Sequence, residues 1–181
     1  AKRFEYALLR LVDPTTAGEY AGITDEIVGA FEYRSADVTA LSAEQLAALR
    51  DAVGVKALDS KGEACTGYEQ EDCNVLQIKL TKLAPYFPTV MSLWVTFPAK
   101  EELVTAGGET WWLDAANFLG NGPFVMTTLE QGIATTFEPN PYYWQGQPKY
   151  KLEYRYITDS AVAFEAFKND EFDIIILAAE D

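Results

Sequence analysis

Cys65 and Cys73 stand in the segment GEACTGYEQEDCN, and a cysteine pair can bind a metal, carry redox chemistry or close a disulfide. A zinc centre needs further ligands at suitable spacing, yet the chain of 181 residues holds 2 cysteines and no histidine. The residues between them are rich in Gly, Glu and Asp, as expected of an exposed hairpin tip. Strand-like VKALD precedes the tip and NVLQIKL follows it. Facing positions of a hairpin satisfy disulfide geometry. A Cys65–Cys73 disulfide is therefore the expected state, ahead of two free thiols and of metal or redox chemistry. It implies an oxidising compartment.

Carboxylates are the other residues with chemical potential. Asp25/Glu26 and Glu69/Glu71/Asp72 are close enough in sequence for paired acid-base work of the glycosidase kind. Their flanks carry no sign of burial, so solvated loop charge is the expected reading. The absence of histidine removes Ser-His-Asp and Cys-His nucleophilic arrangements and the usual proton shuttle near neutral pH. An enzyme is not expected. Gly107-Gly108 and Gly120-x-Gly122 lack the strand, GxGxxG and helix context of a phosphate cradle, and read as turns. The aromatics of EPNPYYW either stack on a ligand or pack beneath a Pro-rich loop, and packing is the expected use.

Composition narrows the partners. Lys and Arg number 14 against 28 Asp and Glu, a formal charge of −14 that repels phosphate backbones, so nucleic acid is not an expected partner. With 49% hydrophobic and 23% charged residues the chain is globular. Its longest apolar stretch, Ile174 to Ala179, is far too short to span a bilayer.

These residues need elements to position them. AKRFEYALLRLVDP predicts a helix with Phe4, Leu8, Leu11 and Val12 on one face, ended by Pro14. It has no N-cap, as if cut from a longer protein. Residues 15–34 predict a broken helix with Tyr20, Ile23, Ile27 and Phe31 as its stripe. Ser42 and Gln45 form an S-x-x-Q capping box for a helix to Val53, which buries Leu46, Leu49 and Val53 and places Gly54 at a left-handed stop. Residues 55–80 predict the β-hairpin, with Leu76, Ile78 and Leu80 on its buried face. A short helix or turn in APYFPTVMSLW and a helical turn over Lys100–Thr105 follow. Beyond Trp111, GPFVMTTLEQGIATTFEPN predicts two strands around a turn at Gln131-Gly132, and KLEYRYI a third. The helix SAVAFEAFK, stopped at Asn169, and the apolar run FDIIILA complete a predicted βαβ unit with parallel strands. A composition change near residues 110–122 divides a helical part from a β-rich one.

Several separated motifs occur together: Asn121-Gly122-Pro123-Phe124, Asn140, Tyr143-Trp144, Pro148, Asp159, Ala166-Phe167 and Glu171-Phe172-Asp173. With RFEYALLRLVDPTTAGEYA and VGVKALD…LQIKLTKLAPYF upstream, the chain resembles the family-5 solute-binding proteins of bacterial ABC importers, the peptide, nickel and oligopeptide-binding group. It departs from the family pattern at Asn169, where Gly is usual, and in its longer hairpin tip. The resemblance implies a mixed α/β fold, part of one lobe of a periplasmic-binding-protein type II-like receptor. Residues 1–110 would be an inserted subdomain of lobe one and residues 111–181 part of its core sheet. The first strands of the lobe and the whole second lobe would lie outside the chain.

The function implied is capture of a peptide or similar organic solute and its delivery to ABC permease subunits in the membrane. No cofactor or metal is expected, and the absence of histidine favours organic solutes over nickel. The setting would be periplasmic or extracellular, with a possible lipoprotein anchor through a missing N-terminus. Asn121 and Phe124 are the ligand-binding candidates, set against a reading of NGPF as a fold-specifying turn and strand start. The alternative function is an extracellular sensor or interaction module on the same scaffold.

Overall fold

A computed structural model describes residues 1–176 in two compact units, Ala1–Glu102 and Leu103 onward. In the first unit, helix α1 (Lys2–Leu11) packs against the hairpin of β1 (Val55–Leu58) and β2 (Val75–Ile78). Helices α2 (Ala30–Arg34), α3 (Ala43–Ala52) and α4 (Phe87–Val90) complete it, and α5 (Glu101–Gly107) starts at its end. One apolar cluster joins them: Leu8, Leu9 and Val12 from α1 and its end meet Ile27, Ala30 and Tyr33, and below them Val53, Val55, Ala84 and Phe87.

The face of α1 differs from the predicted one. Leu8 and Val12 are buried as expected, but Phe4 is exposed and Leu11 only half-buried, while Leu9 and Glu5 turn inward. The buried Glu5 carboxylate takes an ion pair from Lys2 at 2.6 Å, which lets a charged residue occupy that face. The predicted stripe over residues 15–34 is also corrected. Of its members only Ile27 enters the core, and Tyr20 and Phe31 are exposed. Gly29, at φ 73°, resets the phase of the chain, so Ala30 and Tyr33 point inward instead.

The α3 capping box forms as expected: the Gln45 amide donates to Ser42 Oγ (3.3 Å) and the Ser42 amide to Gln45 Oε1 (2.8 Å). Gly54 does not adopt the left-handed stop, since it is absent from the residues of positive φ. It is needed for space, because a Cβ there would lie 2.9 Å from the Lys79 carbonyl oxygen. The hairpin register pairs Val55 with Ile78 and Leu58 with Val75, and Leu76, Ile78 and Leu80 pack on the core as the alternation predicts.

The second unit holds an antiparallel sheet in the order β3 (Phe124–Glu130), β4 (Ala134–Pro139), β5 (Leu152–Arg155). The turn between β3 and β4 places Gly132 at φ 73°, a conformation open to glycine. Helix α6 (Ser160–Lys168) is capped by Asp159, whose Oδ1 accepts from the Val162 amide at 3.1 Å. Its left-handed stop falls at Asp170 (φ 60°), one residue after the predicted Asn169. The predicted parallel strand after α6 is not formed over residues 171–176, and its remainder lies outside the described residues. An apolar segment becomes a strand only where a neighbour supplies the ladder, and β5 is paired antiparallel with β4. No helix among the described residues is long and apolar enough to cross a membrane.

Candidate functional site

The turn Gly120–Asn121–Gly122–Pro123 delivers the chain into β3, and Asn140 holds it there. The Asn140 side chain is buried at 5% exposure. Its Nδ2 donates to the Gly122 carbonyl at 2.8 Å, and its backbone amide to the Pro123 carbonyl at 2.8 Å. Its Oδ1 accepts from the Tyr142 amide at 3.0 Å, an Asx turn of the kind that Asn-Pro sequences favour. One amide side chain thus ties the NGPF turn to the following NPYYW loop.

The two predicted ligand-binding residues are placed differently. Asn121 is exposed, and its side-chain amide has no hydrogen-bond partner among the described residues. Phe124 is half-buried at the start of β3, paired with Pro139, its ring centroid 5.5 Å from that of Tyr150. Around the corner, Tyr142 is 92% and Trp144 79% exposed, which corrects the expectation that these aromatics pack beneath the loop. The Asx turn directs Tyr142 outward, and Trp144 is set edge-on to Tyr143 at 6.2 Å between centroids. Such a corner offers a free amide and open ring faces, groups that bind by hydrogen bonding and stacking. The role of Asn140 was not foreseen, although its place before proline is the signal that could have found it.

The sulfurs of Cys65 and Cys73 lie at bonding distance, 2.07 Å, with Cα atoms 5.8 Å apart. Both cysteines are buried and pack against Ala57. The carboxylate groups singled out in the sequence do not converge on one point. Arg34 grips both oxygens of Asp25 at 2.6 Å, Glu26 takes Tyr86 and Lys82, and Asp72 takes Gln70 and Ser60. Among the described residues no group of three or more His, Cys, Asp or Glu is arranged to hold a metal.

The most perturbed titration in the core belongs to Tyr33. Burial and then its hydrogen bond to Asp13 Oδ2 (2.9 Å) push the phenol up to about 12. Burial alone would raise Asp13, but hydrogen bonds from Thr15 and Tyr33, with the charge of Arg50, outweigh it and hold the carboxyl below its ordinary value. A raised phenol stabilises the fold below the unfolded value near 10 and loses that contribution as pH climbs toward about 12. Tyr33→Phe is expected to cost about 1.5 kcal/mol at neutral pH, the worth of a hydrogen bond to a charged acceptor. It should also shrink the loss of stability between about pH 10 and 12. Urea titrations across that range measure both, and an unchanged alkaline slope would count against the assignment.

Comparison with known proteins places this geometry. The model of the family "Bacterial extracellular solute-binding proteins, family 5 Middle" matches residues 1–181. The chain is similar to the dipeptide-binding protein DppE of Bacillus subtilis, at 26% identity over 179 residues, covering 98% of this chain and 28% of that protein. It is also similar to the oligopeptide-binding protein OppA of Bacillus subtilis, at 28% identity over 154 residues, covering 84% of this chain and 24% of the relative. The substrate-binding domain of an oligopeptide ABC transporter from Bacillus anthracis superposes with a TM-score of 0.73 at 24% identity, over 99% of this chain and 31% of that one. The shared fold is the mixed α/β architecture of those proteins. In every case the chain spans less than a third of the protein it matches.

Proposed function

We propose, from the premise that the chain belongs to the bacterial extracellular solute-binding proteins of family 5, that it is a segment of a peptide-capturing receptor. The receptor takes up a peptide or similar organic solute outside the cytoplasmic membrane and delivers it to an ABC permease. The observation that carries this reading is the family match along the whole of residues 1–181. Relatives named for dipeptide and oligopeptide binding support the solute class.

In this reading residues 1–110 form the inserted subdomain of lobe one and residues 111–181 part of its core sheet. The Asn121 amide, with Phe124 fixing the strand beside it, faces the solute. Ligand contacts draw an open receptor toward a closed one, and binding rather than turnover is the task. The Cys65–Cys73 disulfide suits an oxidising setting outside the cytoplasm.

A thermal-shift panel on the full-length protein that carries these residues tests the reading, using di- to hexapeptides, nickel and deoxycholate, the last because a similar Escherichia coli protein is named for deoxycholate binding. A peptide at ten times its dissociation constant is expected to add about 1.4 kcal/mol to the folded state and raise the melting temperature. A rise with deoxycholate or nickel alone would replace the peptide class. No rise with any, in protein stripped of co-purified ligand, would end the transport reading.

A further inference from the structure

The chain contains five arginines, and three of them sit against a carboxylate: Arg3 on Glu102, Arg34 on Asp25 and Arg155 on Glu153. Arg10 and Arg50 grip none, although the charge of Arg50 reaches Asp13 in the same cavity. Neither has a carboxylate oxygen within 4.0 Å among the described residues, in a chain with twice as many acidic as basic side chains. Both line the same open cavity of the first unit, about 400 Å³ in volume, with Tyr6 and Leu9 as its less polar wall.

The acids of that cavity are already engaged. Asp13 accepts from Thr15 and Tyr33, and Glu101 accepts from the Tyr68 hydroxyl. Arg10 stands at the last turn of α1 beside the Tyr6 hydroxyl, and Arg50 at the last turn of α3. A cation at a helix C-terminus complements the helix dipole. The dipole explains one charge on each helix, and Asp13 faces the charge of Arg50, but neither explains why two arginines that grip no carboxylate share one cavity.

We propose that this cavity binds a small organic carboxylate. The guanidinium forks of Arg10 and Arg50 hold the carboxylate, and the body of the molecule lies along Leu9 and the Tyr6 ring. Planar forks match a carboxylate bidentately, and the volume accommodates a molecule of amino-acid size. The site lies wholly within the first unit and is separate from the peptide capture proposed above.

Isothermal titration of the full-length protein with benzoate, glutamate, citrate and inorganic phosphate tests it. At least one of the three carboxylates is expected to bind saturably, one molecule per chain, and more tightly than phosphate. Arg50→Gln, at an exposed position, should weaken that binding about tenfold or more, as should Arg10→Gln. Arg50→Lys, keeping the charge and losing the fork, should fall between. Circular dichroism establishes that each variant is folded. Saturable binding that survives Arg50→Gln unchanged, the absence of binding by all three carboxylates, or phosphate bound as tightly would each overturn the proposal. The thermal response to peptides is expected to be the same in Arg50→Gln, so failure here and failure of peptide capture are read separately.

Discussion

Replacing Cys65 and Cys73 together by serine is expected to lower the melting temperature of the first unit by about 10–20 °C. The two residues are 8 apart in sequence, and closing a loop of that length removes about 2.5 kcal/mol of unfolded-state entropy on the chain-entropy model. For a unit of roughly one hundred residues each kcal/mol moves the midpoint by about 4–8 °C. The sulfurs are also buried against Ala57, at the far end of the hairpin from the main cluster, so serine hydroxyls there add a desolvation cost. Calorimetry on the oxidised protein, the reduced protein and the double serine variant gives the comparison. If all three melt together, the tip is ordered by its own hydrogen bonds and the bridge constrains nothing. A large shift would also make the hairpin a reporter of redox compartment, since a cytoplasmic pool would leave the protein in its weaker form.

Asn140→Ala is expected to destabilise the second unit by about 2–4 kcal/mol, because the Gly122 carbonyl and the Tyr142 amide both lose their partner at a buried position. Asn140→Asp separates the two contacts. It keeps the acceptor for Tyr142 but turns a carboxylate oxygen toward the Gly122 carbonyl in place of the donor, so at neutral pH it should cost at least as much as alanine, and less once the carboxyl is protonated. Denaturant unfolding followed by circular dichroism measures both. A cost below about 0.5 kcal/mol for the alanine variant would mean that backbone pairing of β3 with β4 holds the turn without the clamp. Asn121→Ala is the control on the same turn. It removes an exposed amide with no described partner, so it should leave stability unchanged, and under the proposed function it should weaken solute binding.

Much of the architecture was legible because it depends on local chemistry. Ser42 and Gln45 cap a helix wherever the rest of the chain goes, since both hydrogen bonds close within four residues. The alternation of Leu76, Ile78 and Leu80 can bury one sheet face in one register, and the Gly132 turn forces β3 to meet β4. The cysteine pair at a hairpin tip belongs to the same class, because the strands that bring the residues together flank them in sequence. Recognisable motifs spread along the chain carried the family.

The errors share a physical cause. Which face of α1 is buried depends on what lies opposite, and Glu5 turns inward because Lys2 neutralises it while Leu9 fills the cluster. Gly54 was read as a helix stop, but its need for a missing side chain comes from Lys79, twenty-five residues on. The stripe over residues 15–34 failed at Gly29, where one positive φ shifts the phase of everything after it. Exposure of Tyr142 follows from the Asn140 clamp, and the strand expected after α6 depends on a neighbour that a pattern of apolar residues does not supply. The cavity of Arg10 and Arg50 is of the same kind. Two residues forty apart in sequence carry no joint signal until folding sets the ends of α1 and α3 around one space. Hydrogen bonds and turns of short range were therefore readable from residue types and spacing. Burial, clamping and the meeting of charges are long-range properties, and folding alone settles them.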